Sequence, residues 1–135
     1  MFKKSLLLGI ASGVLAAIAS LVYANVYHSS LGADFSKVAA PEKIIASSIF
    51  GGVLAAIGFW AFDKWLKQNG EIVFNLLFSI LSFATLLAPF AVKLPLTLET
   101  PELFPGMVIP MHFFPALAWF TLKPVFIRNV QRLAA

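Results

Sequence analysis

The sequence predicts an all-α, polytopic membrane protein, an antiparallel four-helix transmembrane bundle forming one domain over residues 1–135. Three features predict it. Apolar residues make up 60% of the chain and charged residues only 12%, about half the roughly 25% charge of a soluble domain. The apolar residues lie in four long runs, each close to the about 20 residues that cross a hydrocarbon core. The basic residues are sorted to one side of those runs. A soluble chain of 135 residues with 14 Phe could not hide so much apolar surface, because a small domain leaves too large a share of its surface in water.

The first run, Ser5 to Tyr27, carries no charge. Lys3 and Lys4 before it and Ala17-Ile18-Ala19 within it imitate a secretory signal, but the run exceeds a usual h-region, so a retained helix is expected. The second run is Ile44 to Phe62, the third Ile72 to Val92 and the fourth Phe104 to Leu122. With their flanks the four helices are expected at about 5–27, 42–65, 72–92 and 103–127.

With the N-terminus in the cytoplasm, Lys3, Lys4, Lys64, Lys67, Lys123, Arg128 and Arg132 lie inside and Lys37, Lys43 and Lys93 outside. The positive-inside rule therefore puts both termini in the cytoplasm. Tyr23, Tyr27, Trp60, Trp65 and Trp119 stand near helix ends, where amphipathic rings favour the headgroup level.

Turn chemistry divides the loops. Leu66 to Glu71 reads as a tight turn with Asn69-Gly70 at its apex. Pro41 suits the first turn of helix two, where its missing N–H is no loss. Thr100 ahead of Pro101-Glu102 reads as a helix cap.

Small residues recur every fourth position: Gly9, Gly13 and Ala17 on helix one, Ser48, Gly52 and Ala56 on helix two, with Ser47, Gly51 and Ala55 as a parallel ridge. Lipid tails are as apolar as Leu, so helices associate by close contact, and small-xxx-small faces permit it. Helices one and two are expected to cross through these faces. The hexamer Gly-Val-Leu-Ala-Ala-Ile occurs at 13–18 and 52–57; compositional bias explains it better than an inverted duplication, because helices three and four show no matching pair.

Helix three carries a polar stripe of Asn75, Ser79, Ser82 and Thr85, leading to Pro89. It could line a pocket, or its hydroxyls could bond back to their own helix. His112 is the one ionisable side chain placed deep within a run, about 12 Å along helix four from Phe104 at 1.5 Å per residue. An ionisable group at such depth is a functional-site hypothesis by default. At the same height stand Ser82, Thr85 and Ser48, with Met111 beside His112. Pro110 and Pro115 flank it and free the carbonyls of Gly106 and Met111, which need other partners. The alternative is a structural imidazole bonded to a neighbouring hydroxyl.

The chain has no Cys, which excludes disulfides, thiol catalysis and iron–sulfur ligation. Met107, Met111 and His112 could in principle hold Cu(I), but Met is also a common gap-filler, so no metal or cofactor is expected. Asp63 is explained by pairing with Lys67 one turn on. There is no catalytic triad, phosphate loop or intramembrane carboxylate pair, so no enzyme is expected. Basic residues scattered at helix ends form no stripe for nucleic acid. The partners expected are the lipid bilayer and a further protein or another copy of the chain.

Pro101, Pro105, Pro110, Met111, His112, Phe113 and Phe114 carry a resemblance of layout. The chain resembles small four-helix bacterial inner-membrane proteins of uncharacterised function, in which a short turn joins helices two and three and a His follows a Pro-containing outer loop. The resemblance implies an inner-membrane location and no known activity. The function expected is that of an accessory or structural membrane component. The alternative is a binding or transport protein for a small or lipophilic ligand near His112, Ser82, Thr85, Ser48 and Met111.

Overall fold

The computed structural model describes residues 1–127; Arg128, Arg132 and the C-terminus lie outside them. The described chain is helical, with no strand. Helix α1 spans Phe2–Leu31, α2 Pro41–Leu66 and α3 Gly70–Ala84; a 3-10 turn, Thr85–Leu87, leads into the single turn α4, Ala88–Ala91, and α5 spans Phe104–Phe126. Three helical stretches, Phe2–Leu31, Pro41–Ala91 and Pro101–Phe126, are long and apolar enough to cross a membrane.

The 51-residue middle stretch is folded back on itself. Lys67 takes a left-handed φ of 49°, and Phe74 on α3 packs its ring 5.3 Å from that of Phe59 on α2. The reversal therefore sits at Lys67 and not at the Asn69-Gly70 pair. Gly70 is helical (φ −57°); its need is space, since a Cβ there would strike the Phe62 carbonyl and come within 2.8 Å of Asp63 Cα. The break after α3 comes from Pro89, which cannot donate to the carbonyl one turn back.

Helix α1 runs one turn past Tyr27. Gly32, with φ 68°, ends it by donating its N–H to the His28 carbonyl, a left-handed cap that glycine adopts without a Cβ clash. Pro41 opens α2. Thr100 is not a side-chain cap: it lies at φ 52° and makes no capping hydrogen bond through its hydroxyl.

α1 and α2 cross antiparallel through their small residues. A Cβ on Gly52 would run into the Gly9 carbonyl; one on Gly9 would meet Ala56 Cβ at 2.7 Å, and one on Gly13 the Ile49 Cα at 2.8 Å. Backbone thus lies on backbone. Such contact maximises dispersion where no hydrophobic force separates helix from lipid.

Two apolar clusters close the ends of the molecule. At the turn end, Leu8, Ala56, Phe59, Phe74 and Trp119 are buried together. Trp119 has no exposed surface, so it belongs to the core and not to an interfacial belt; its ring centroid is 5.8 Å from Phe59 and 5.5 Å from Phe74. At the loop end, Ala33 and Phe35 from the segment after α1 fold over Phe104 and Met107 of α5. An Asp34 carboxylate that accepts the Ser36 N–H at 2.9 Å shapes this roof, and that bond holds the carboxyl below its ordinary range.

Candidate functional site

Between the two clusters lies a cavity of about 890 Å³, within the roughly 300–1,000 Å³ usual for ligand pockets. α2, α3 and α5 wall it, and Val38 and Ala39 contribute to its roof. It exists because α2 and α3 touch near the turn and face a gap further out. Near the turn, Phe74 lies against Gly58, whose Cβ would sit 3.4 Å from the ring; at Gly51 a Cβ would meet nothing within 4 Å. Two adjacent glycines thus have opposite surroundings. Gly52 is packed against α1, and Gly51 opens on the cavity.

Ser48, Ser82, Thr85, Met111 and His112 all line this one space. Their hydrogen bonds differ from those that matching heights suggest. The Ser82 hydroxyl donates to the Phe78 carbonyl at 2.8 Å and Thr85 to the Ser82 carbonyl at 2.8 Å. His112 uses Nδ1, 2.9 Å from the Val108 carbonyl. A carbonyl only accepts, so Nδ1 carries the hydrogen, and Nε2 of the neutral ring keeps a lone pair. None of these polar groups bonds another across the cavity; Ser82, Thr85 and His112 are each tied to their own helix.

Three further residues belong to the site. Ser20 on α1, Ser47 on α2 and Lys43 at the mouth line the same space. Ser47 donates to the Ile44 carbonyl at 3.1 Å, while the buried Ser20 hydroxyl has no hydrogen-bond partner among the described residues. Ser20 lies seven residues after Gly13, which in a helix keeps it on the same buried face; that was the available signal.

The cavity is apolar elsewhere and open at its side. Leu54 on α2 and Leu81 on α3 line it while remaining 52% and 60% exposed. The slot between these two helices faces the surroundings that their other apolar side chains face.

Prolines shape the α5 wall. Pro110 cannot donate to the Gly106 carbonyl; the Tyr23 hydroxyl does so instead at 3.0 Å. Tyr27 donates to the Leu103 carbonyl at 2.7 Å. These tyrosines are therefore inter-helix clasps that fix the upper part of α5, whatever their level in a membrane.

Charge is placed at the other end. Lys123 is only 8% exposed and lies 2.7 Å from the Glu71 carboxylate, at an angle poor for a hydrogen bond. Its ammonium also sits 4.8 Å from the Phe59 ring centroid, a cation–π distance. Asp63 forms no ion pair with Lys67 among the described residues; its carbonyl accepts the Lys67 N–H. No group of three or more His, Asp or Glu able to hold a metal occurs among the described residues. Met107 is buried beside Phe35 and Phe104.

Comparison with protein-family models, curated proteins and solved structures returned no match.

Proposed function

We propose that this chain is a four-span bacterial inner-membrane protein that takes a lipophilic ligand from the bilayer into the cavity between α2, α3 and α5. The observation that carries this reading is the side slot at Leu54 and Leu81, which opens an apolar cavity where α2 and α3 would be surrounded by lipid. The ligand would enter sideways, without crossing water. A four-span arrangement is supported by the reversal at Lys67. A cytoplasmic location for both termini is supported by the basic residues at the turn end and N-terminus, following the positive-inside rule.

An accessory, partner-packing role drew its support from small-residue faces. Gly9, Gly13 and Gly52 are occupied within the chain itself, which leaves the cavity as the more specific feature. The resemblance to small bacterial inner-membrane proteins is compatible with either role.

The test is native mass spectrometry of the full chain released from membranes, beside Gly51→Phe. The substitution grows into open space and should fill the cavity without touching α1. Retention of a small lipophile by the native chain and its loss in a folded Gly51→Phe supports the reading. Equal retention by both, or none by the native chain, rejects it.

A further inference from the structure

The cavity is graded along its length. From Lys43 to Phe62 it follows α2 for about 28 Å at 1.5 Å per residue. Its polar side chains occupy the loop half, and Gly58, Phe62, Phe74 and Leu77 make the turn half apolar. This gradation suits a single-chain amphiphile, tail toward the turn and head toward the loops.

The head group is specified by which hydrogens remain. Ser47, Ser82 and Thr85 donate their hydroxyl hydrogens to carbonyls of their own helix, and His112 gives its Nδ1 hydrogen to Val108. All four then offer the cavity lone pairs. An acceptor-only head placed among these four would meet acceptors, and each buried acceptor left unpaired carries a penalty; the donors of the lining, Lys43 at the mouth and the hydroxyls of Ser20 and Ser48, stand outside this set. A cationic head would lack a counter-charge, since no Asp or Glu lines the cavity, and an unpaired charge in an apolar site is costly. A hydroxyl satisfies both conditions. It donates to one of these lone pairs and can accept from Ser20, whose hydroxyl is buried and unpartnered among the described residues.

We infer that the cavity selects a neutral single-chain amphiphile with a hydroxyl head, which donates its hydrogen to the acceptors at His112 Nε2 and the hydroxyls of Ser47, Ser82 and Thr85. This rests on the proposed ligand-binding reading and names its ligand class.

The experiment is competition against tritiated oleyl alcohol bound to the full chain in nanodiscs. The competitors are unlabelled oleyl alcohol, oleyl methyl ether and oleate. The ether keeps the chain and the oxygen and removes only the donor hydrogen. The alcohol should compete roughly three- to tenfold more strongly than the ether, the worth of one hydrogen bond, and more strongly than oleate. His112→Phe, checked for folding by its thermal transition, should shrink the alcohol-to-ether ratio, and Ser82→Ala supplies a second variant. Equal competition by alcohol and ether, or stronger competition by oleate, overturns the hydroxyl assignment while leaving a lipophile-binding cavity. Absence of specific binding by the alcohol, combined with retention of no other lipophile by the native chain, overturns both readings. Should His112→Phe fail to fold, the alcohol-to-ether ratio of the native chain decides alone.

Discussion

The Tyr23 hydroxyl lies 3.0 Å from the carbonyl oxygen of Gly106, the carbonyl that Pro110 deprives of its helical donor. A proline kink in one helix is thus completed by a phenol from another. Tyr23→Phe should destabilise the fold by about 0.5–1.5 kcal/mol, the net worth of one hydrogen bond, since Gly106 is exposed. Pro110→Ala restores a backbone donor, so the same Tyr23→Phe change should cost less in that background. A double-mutant cycle of thermal unfolding in detergent measures the difference; additivity of the two changes would contradict the relationship.

The neighbouring glycines 51 and 52 should respond in opposite ways to one substitution. Gly52→Leu must drive a side chain into the Gly9 backbone and should destabilise by at least the about 1–3 kcal/mol of core overpacking. Gly51→Leu enters open space and should be neutral within about 0.5 kcal/mol. The melting temperatures of the two variants, measured in the same detergent, check this.

Lys123 and Glu71 join α5 to α3 at the turn end. Glu71→Gln removes the partner of a cation that is only 8% exposed. Loss of one member of a fully buried pair costs about 3–5 kcal/mol; Glu71 is itself 35% exposed, so about 1–3 kcal/mol is expected. Lys123→Met with Glu71→Gln should recover most of that loss, because no buried charge then remains unpaired. Unfolding transitions of the single and double variants read this out.

Much of the architecture was legible beforehand, for physical reasons. Uncharged runs of membrane length mark helices wherever they occur, and small residues four apart on α1 and α2 mark a face that permits close approach. The set Ser48, Ser82, Thr85, Met111 and His112 could be assembled from equal heights along antiparallel helices. What they bond to could not, because a hydroxyl in a helix always has its own carbonyl within reach. The reversal was misplaced by two residues because Asn-Gly favours turns, whereas here Lys67 takes the left-handed conformation and Gly70 answers a steric need. Trp119 was assigned to a membrane interface and Lys123 to the cytoplasmic side because both stand near a helix end. Distance along one helix does not tell which way a side chain faces, and both face inward.

The chain has no Cys, so single cysteines can report sidedness. Gln68→Cys in the turn and Leu96→Cys in the loop, where Leu96 is fully exposed, should label from opposite sides of sealed vesicles with an impermeant maleimide. Gln68 should react from the cytoplasmic side. Labelling of both from one side would contradict the four-span arrangement.

The most direct test of a bilayer-facing ligand cavity is photolabelling of the native chain in membranes with a diazirine-bearing oleyl alcohol, its adducts mapped by peptide mass spectrometry. The predicted result is saturable labelling concentrated on the cavity walls, at Leu77, Leu81 and the Val108–Pro115 segment, and abolished in folded Gly51→Phe. Labelling spread evenly over the lipid-facing sides of α1 and α3, and unchanged by Gly51→Phe, would contradict it.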